Sequence, residues 1–521
     1  MSVGLVVRRA VRGATALRGG RTWHPTPYQV FGFLFFLVMT LAYWRVPLCC
    51  DAGQHAAVVE RLRANLLHPA HPTADLPGAG SAYYSPYAVA EGAFARLTGL
   101  TGWALVRLAG PLNLLVLLTG LGCLVRVLTP RPWAPVLALF AVTLLSGAER
   151  AGWSGSLGLM ALTGNLGYPS TCAIGLTFWA WALTGSRARG AGLVRYVGPS
   201  GLRSVAGYAG LGALYGLILL IDPVTAVAAV LGAVAFVAGW QREWRAAVTG
   251  RWALAGAVAL LVAACWPYFD AFAPMAGDGG RPYAYVGMPG RVWPALVGLP
   301  ALWARARRAR RDPLVLLCAL QCLAPAYGWA RGQDAYGDIL GLTLVAPQLA
   351  LAVEFAAPRP WSAPRRALGW VTAAVVCAGF LTVHAGAVVP RALDPVGFGQ
   401  PPRRPTYDWA ARYIRPGEAV VADGYDAVRL IPGYGADLAA PVLPDRALDE
   451  GERLRRLAAV RAYLDPASTL ALRTTVARRY HVRWLLLTRR RRVPEEATVV
   501  AWSRETGEVL ARVGDSGRTT R

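Results

Sequence analysis

Residues 28–55 read YQVFGFLFFLVMTLAYWRVPLCCDAGQH. The part from about Tyr28 to Pro47 is an apolar run that is long enough to cross a hydrocarbon core of about 30 Å as a helix. A cleavable signal peptide has a shorter apolar region and a small-residue cleavage site, so we expect this run to stay in the mature protein. The run delivers the chain to Asp51, an acidic residue at the predicted edge of the membrane.

The composition indicates a chain that crosses the membrane many times. Of the 521 residues, 55% are hydrophobic and 16% are charged, and the mean hydropathy is +0.37. Soluble domains carry roughly 25% charged residues, so these values exclude an ordinary soluble enzyme and a disordered chain. The net charge is +25 and all 54 basic residues are arginine, which excludes chemistry that needs a lysine. The arginines lie in short clusters between apolar runs, which favours a polytopic membrane protein over a nucleic-acid-binding protein.

Ten further apolar runs follow the first one, which predicts an all-α bundle of about 11 transmembrane helices. The runs lie near 104–125, 134–148, 169–185, 205–221, 224–240, 252–268, 292–304, 313–330, 339–357 and 367–389, of which 292–304 is the shortest. If residues 1–27 form a basic cytoplasmic segment, every second loop is rich in arginine, as the positive-inside rule requires. We therefore predict a multi-pass protein of the plasma membrane, with the N-terminus in the cytoplasm and the C-terminus outside.

The chain after the last apolar run has a different composition. Residues 28–389 form the predicted transmembrane domain, and 390–521 are rich in charge and begin with a proline-rich linker. Helices are predicted near 406–414, 446–464 and 468–480, strands near 418–422 and 482–488, and a hairpin of 499–502 with 509–513. This pattern predicts a small extracytoplasmic α/β domain.

The first outer loop, residues 49–103, is long for a simple connection. Asp51, His55, Val58, Val59 and Leu62 are spaced by three and four residues or are adjacent, so a helix that begins near Asp51 aligns them on one side. The loop continues to the aromatic segment Tyr83-Tyr84-Ser85-Pro86-Tyr87. A purely structural role is also open for Asp51, because backbone amides at a helix start favour an acid.

At this point the sequence resembles the glycosyltransferase C superfamily, polytopic enzymes that use polyprenyl-phosphate sugars as donors. The resemblance rests on the whole architecture and on four segments: the Asp51 region, 83–87, 164–170 (GNLGYPS) and 478–487 (RRYHVRWLLL). It implies that the acidic residue of the first outer loop, Asp51, is the catalytic base. Many members carry a paired acid at this place, whereas Asp51 is followed by Ala52, which indicates an uncharacterised branch of actinobacterial type.

Glycosyl transfer from a lipid phosphate requires a base, positive charge at the departing phosphate and a groove for the lipid tail. Asp51 is the predicted base, with His55 one helical turn away to orient it or the acceptor. Arginine binds two phosphate oxygens at once, and the outward-facing candidates are Arg150, Arg281 and Arg331; each of these is equally explained as an exposed interface arginine. The candidates for sugar or acceptor contacts are Tyr83, Tyr84, Tyr87, Asn165, Tyr168 and Asp334. No cofactor is predicted, although a divalent cation on Asp51 and another outer acid stays open.

Two other functions compete with the leading prediction, which is an inverting glycosyltransferase with a glycan, lipid or protein acceptor. One is a transporter or a flippase of lipid-linked sugars, which is expected to show internal repeats and charged groups near mid-membrane. The sequence shows no obvious repeat, and its polar groups gather at one face. The other is a non-catalytic envelope scaffold whose outer domain binds a glycan or a protein.

Overall fold

A computed structural model describes residues 25–46, 48, 51–147, 156–190, 201–273, 292–401 and 404–514. The side chains of 201–204, 334, 335 and 338 are outside this description. The described chain is mostly helical up to residue 388 and ends in a smaller unit that contains one sheet.

Capping residues and prolines in the sequence mark where several of the helices up to residue 188 begin. The first helix begins after Thr26, which accepts a hydrogen bond from the backbone of Gln29, and has proline at its first position. The helices up to residue 188 are α1 (Pro27–Arg45), α2 (Ala52–Ala64), α3 (Pro86–Thr98), α4 (Gly102–Leu128), α5 (Ala134–Leu144), α6 (Leu159–Asn165) and α7 (Pro169–Ala188).

The second half of the bundle contains nine α-helices within the described residues, and their lengths range from four to 21 residues. Its helices are α8 (Gly201–Ile221), α9 (Pro223–Trp240), α10 (Ala246–Ala264), α11 (Leu299–Arg308), α12 (Pro313–Arg331), α13 (Leu340–Thr343), α14 (Val345–Ala356), α15 (Ala363–Gly379) and α16 (Ala385–Val388). Two 3-10 helices, Trp293–Gly298 and Asp334–Ile339, precede α11 and α13, and a π-helical turn, Phe380–His384, joins α15 to α16.

Within the described residues, six helical segments are long and apolar enough to span a membrane. They are Pro27–Arg45, Gly102–Leu128, Pro223–Trp240, Ala246–Ala264, Pro313–Arg331 and Ala363–Val388, and three shorter apolar helices accompany them. Each of the eleven predicted runs coincides at least partly with helix, but several of these helices are short: α5, for example, ends at Leu144, within its predicted run. A multi-pass membrane protein follows from these helices, and the count of eleven spans stays a prediction.

Close helix packing in the bundle depends on glycine. A Cβ atom on Gly120 of α4 would lie 2.5 Å from the carbonyl oxygen of Gly175 in α7, and a Cβ on Gly175 would lie 2.8 Å from the Leu117 amide. Small residues at such crossings let two helix backbones approach each other in a membrane, where dispersion contacts stabilise the pair. One buried cluster extends through α1, α4, α5, α7, α9, α12 and α14 and forms the bundle core.

The C-terminal unit contains a five-stranded mixed sheet in the order β2-β1-β3-β5-β4. Its elements are α17 (Asp408–Ala411), β1 (Ala419–Ala422), α18 (Ala427–Leu430), β2 (Asp437–Leu438), α19 (Glu450–Leu464), α20 (Leu470–Arg479), β3 (Val482–Leu487), β4 (Ala497–Trp502) and β5 (Val509–Val513). Strands β1, β2 and β3 are parallel, and the predicted hairpin is present as β4 and β5. Separate apolar clusters cover the two faces of the sheet.

The helix predicted over 406–414 is wrong in length, because only Asp408–Ala411 is α-helical. The segment lies between Pro405 and Pro416, and so short a stretch cannot propagate a long helix. Tyr407 and Ala410 are nonetheless fully buried, so the segment serves as a packing element of the sheet.

Candidate functional site

Asp51 stands at the start of α2, six positions after α1 ends at Arg45. It occupies the N-cap position, but its side chain accepts no capping hydrogen bond from the helix. The side chain is 48% exposed. Asp51 thus stands at the helix start, where the backbone amides favour an acid, but its carboxylate does not cap the helix through a hydrogen bond and is open to other groups.

A positive charge from the C-terminal unit lies beside this carboxylate. The Arg429 Nε atom is 3.5 Å from the Asp51 Oδ1 atom, and the Arg429 guanidinium also lies over the ring of Tyr425, 4.0 Å from its centroid. The surrounding protein raises the pKa of the Asp51 carboxyl above its usual value, and the charge of Arg429 acts in the opposite direction. Sequence reasoning missed Arg429, which is distant from Asp51 along the chain.

The turn before α7 brings Tyr168 and His55 to the same place. The Tyr168 hydroxyl hydrogen-bonds to the backbone of Asp51 and Ala52, at the amino end of α2. The rings of His55 and Tyr168 meet edge to face with centroids 5.0 Å apart. Burial lowers the pKa of His55 to about 4, so its imidazole is neutral near pH 7. The structure thus brings three predicted site residues together around the first turn of α2.

The three predicted tyrosines of the loop differ in their surroundings. Tyr83 is half-buried, and its hydroxyl lies near the side chains of Gln54 and Asp51. Tyr84 is fully buried among Val58, Leu62 and neighbouring residues, and its hydroxyl donates to the Ala70 carbonyl. The assignment of Tyr84 as a surface for a sugar ring is therefore corrected, because its ring fills the core of the loop.

Tyr87 and Asn165 lie beneath the turn that carries Tyr168. The Tyr87 hydroxyl and the Asn113 amide are 3.0 Å apart, and the same amide donates to the Leu166 carbonyl at 2.8 Å. Asn165 is only 7% exposed, and its carbonyl accepts a hydrogen bond from Thr171. These contacts fit a role in holding the turn, and a direct sugar contact of Tyr87 or Asn165 stays a prediction.

Of the three predicted phosphate-binding arginines, the described residues include Arg331. Arg150 and Arg281 lie outside the described residues. Arg331 is exposed at the end of α12, and Asp334 begins the next 3-10 helix with its side chain outside the description. In the described part of the chain, no three His, Cys, Asp or Glu side chains are close enough to hold a metal ion.

The C-terminal unit is attached to the first outer loop by buried polar contacts. The Asp445 carboxylate accepts a hydrogen bond from the Ser81 hydroxyl at 2.7 Å and lies 3.3 Å from His71 Nε2. Arg61 pairs with Asp437, and the backbone amide of Leu438 donates to the Thr73 carbonyl at 2.7 Å. Because these contacts fix α18 against α2, they hold Arg429 next to Asp51.

A groove of about 990 Å³ opens between α1, α4, α2 and the C-terminal unit. Its apolar lining includes Trp44, Leu48 and Leu108, and Arg107 and Asp408 add charge. Trp44 and Leu108 are also among the exposed large apolar residues of α1 and α4. Such exposure on helices that are able to span a membrane indicates a surface in contact with lipid, so the groove lies where a lipid is able to enter it.

The comparisons with known proteins identify the fold. No protein-family model and no curated protein matches the sequence. A mutant form of the arabinofuranosyltransferase AftD from Mycobacteria has a similar structure over 94% of this chain and 41% of that chain, with 15% identity and a TM-score of 0.56. The chain shares the fold of this arabinofuranosyltransferase.

A second AftD structure matches 94% of this chain and 40% of that chain, with 16% identity and a TM-score of 0.52. The apo oligosaccharyltransferase of Archaeoglobus fulgidus is similar over 90% of this chain and 70% of that chain, with 12% identity and a TM-score of 0.48. The chain thus spans about two fifths of the length of AftD. The expected resemblance to the glycosyltransferase C superfamily is confirmed at the level of the fold.

Proposed function

We propose that this chain is a membrane glycosyltransferase that moves a sugar from a polyprenyl phosphate to a hydroxyl of an extracytoplasmic cell-envelope acceptor. One observation carries the proposal: in a glycosyltransferase C fold, the half-exposed carboxylate of Asp51 follows the first membrane helix and makes no capping bond. A carboxylate in that position is exposed to an incoming acceptor and is able to take its proton, although it also pairs with Arg429.

In the proposed reaction, Asp51 removes the proton of the acceptor hydroxyl as its oxygen attacks the anomeric carbon of the sugar. The bond between that carbon and the phosphate oxygen breaks, and the polyprenyl phosphate leaves with the electron pair, which inverts the anomeric configuration. A base whose pKa is raised by its surroundings takes a proton more readily. His55, neutral near pH 7, and Tyr168 position the turn that carries Asp51.

Among the described residues, Arg429 is the favoured candidate for stabilising the negative charge of the departing phosphate. Its side chain is 18% exposed and lies beside Asp51, and a bound phosphate would take the place of the carboxylate as the partner of the Arg429 guanidinium. Preorganised positive charge at a developing phosphate often contributes more to the rate of an enzyme than any other single interaction. The outer arginines at 150, 281 and 331 remain candidates for a second phosphate contact.

The groove of about 990 Å³ is the candidate for the donor lipid. Its wall of Trp44, Leu48 and Leu108 suits an isoprenoid chain, and Arg107 stands among them as a partner for an anionic headgroup. The groove also contains Leu430, the neighbour of Arg429 in α18. A donor lying in it would therefore place its phosphate close to the element that carries Arg429.

The donor is tested by supplying polyprenyl-phosphate sugars to the purified chain. Because AftD is an arabinofuranosyltransferase, polyprenyl-phosphate arabinofuranose is supplied first and other polyprenyl-phosphate sugars follow.

The acceptor is tested by comparing cells with and without the intact gene. Mass spectrometry of envelope glycans, lipids and glycoproteins should show loss of one sugar residue from one of these acceptors when the gene is deleted. Unchanged composition in all three fractions would contradict a transferase and favour a transporter or a scaffold.

A further inference from the structure

We infer that the C-terminal unit contains a second binding site, for a saccharide that carries a negative charge. The site is a cleft of about 500 Å³ between α20, β3 and the end of β5, which we call the arginine cleft. Ligand sites commonly measure 300–1,000 Å³, so the arginine cleft is of the size that holds a small ligand. The cleft contains neither Asp51 nor Arg429 and does not depend on the proposed transfer.

The base of the arginine cleft holds buried polar atoms without hydrogen-bond partners. Tyr463 is fully buried, and Arg473 and Glu496 are 14% and 15% exposed. The Glu496 carboxylate lies beside the Tyr463 hydroxyl and 3.6 Å from the Arg473 Nη1 atom. Among the described residues, no well-formed hydrogen bond reaches the Tyr463 hydroxyl, the Arg473 Nε atom or either Glu496 carboxylate oxygen.

Leaving these atoms without hydrogen bonds lowers the stability of the fold unless a bound ligand supplies the missing partners. A buried polar group without a partner costs about 1–3 kcal/mol, and the Tyr463 hydroxyl is such a group. Beside it, Arg473 and Glu496 form a long ion pair of 3.6 Å that leaves the Arg473 Nε atom and both carboxylate oxygens without a hydrogen bond. The three side chains offer two unsatisfied acceptors, one unsatisfied N–H donor and one hydroxyl that is able to do both. A sugar hydroxyl donates and accepts at the same time, so neighbouring hydroxyls of one sugar ring match this set.

The rim of the arginine cleft is strongly positive. Its lining contains four arginines, Arg473, Arg478, Arg483 and Arg512, against one acid, Glu496, so these five side chains carry a net charge of +3. Arg483 and Arg512 are exposed at the mouth. A guanidinium binds a carboxylate or a phosphate through two parallel hydrogen bonds, so the rim selects an anionic group. Hydroxyls at the base and an anion at the mouth together describe an anionic saccharide.

The test measures binding to the full-length chain in detergent by titration calorimetry. The probes are glucuronate, which carries a ring and a carboxylate, glucose 6-phosphate, glucose and inorganic phosphate. Glucuronate or glucose 6-phosphate should bind at least about tenfold more tightly than glucose or phosphate alone. Arg512→Gln should weaken binding of that probe about tenfold, and Tyr463→Phe, which removes only a hydroxyl, about fivefold.

A matched control is Arg504→Gln, because Arg504 is an exposed arginine of the same β4–β5 unit outside the arginine cleft. This variant should bind the charged sugar as the parent chain does. Equal binding of phosphate and charged sugar, or equal losses in Arg504→Gln and Arg512→Gln, would overturn the inference and leave only non-specific attraction to a basic surface. Asp51→Asn should keep full binding, so failure of this site and failure of the proposed transfer are distinguishable.

Discussion

Arg429 should set the pH at which Asp51 acts as a base. Burial raises the pKa of Asp51 and Arg429 opposes this, so Arg429→Gln leaves the effect of burial unopposed and the pKa rises further. The acid limb of the pH–rate profile of kcat/KM should therefore move to higher pH in Arg429→Gln. Arg446→Gln, at a half-buried arginine of the same unit that donates to the Asp270 carbonyl, should leave the limb in place. An unmoved limb in Arg429→Gln would show that Arg429 does not act on the base.

His55 should make the protein less stable in mild acid. Its pKa is about 4 in the folded chain and near 6.5 when unfolded, so between these values the unfolded chain binds more protons. Stability from this group therefore falls as the pH falls from 6.5 towards 4. In thermal unfolding of the solubilised chain, the drop in Tm between pH 7 and pH 5 should be smaller in His55→Gln than in the parent chain. A parental drop in His55→Gln would be evidence against a neutral imidazole at this half-buried position.

Individual site residues were predictable only where local spacing carries the information. A helical repeat from Asp51 to Leu62 indicated α2, and Asp51, His55 and Tyr168 do meet. Burial of Tyr84 depends on how the loop folds on itself, which the local pattern does not encode. Arg429 reaches Asp51 through a contact between distant parts of the chain, and the signal that sequence reasoning passed over is a single arginine in the apolar stretch 427–432.

Helices α2 and α18 pack closely against each other at Gly53. A Cβ atom on Gly53 would lie 2.5 Å from the Leu430 Cα atom and would also meet the Arg429 carbonyl oxygen. Gly53→Ala should therefore force α18 away from α2, at a cost of about 1–3 kcal/mol, and lower both the Tm and the resistance of the C-terminal unit to limited proteolysis. Gly164→Ala in α6 meets open space and should leave both unchanged. Equal behaviour of the two variants would contradict the close packing.

The bounds of helices and strands were predicted most closely where the apolar residues follow a clear pattern. The hairpin of β4 and β5 and the buried strand β3 lie within one or two residues of their predicted bounds. Helix α5 is shorter than its predicted span, and a 3-10 helix precedes α11 where one continuous span was predicted. An apolar run indicates which residues are buried, but it does not determine where a helix begins or ends.

For the whole molecule, the first outer loop and the C-terminal unit must lie on one side of the membrane, because Asp445 is buried between Ser81 and His71. In a variant without native cysteines, Thr98→Cys and Glu505→Cys should both react with a membrane-impermeant maleimide in intact cells. Arg310→Cys, in the arginine cluster between α11 and α12, should react only after permeabilisation. Opposite labelling of positions 98 and 505 would contradict the packing, and reaction of position 310 in intact cells would contradict the predicted orientation.

The most direct test of Asp51 as the base measures sugar transfer by the purified chain in proteoliposomes, with and without the carboxylate at position 51. The parent chain is compared with Asp51→Asn and with Asp75→Asn, which changes a 64% exposed acid of the same loop. General-base catalysis contributes about 10²–10⁴-fold, so Asp51→Asn should lower the transfer rate at least about 100-fold while Asp75→Asn stays near the parent. Retention of the parental rate by Asp51→Asn, in a chain with unchanged Tm, would contradict the assignment of the base.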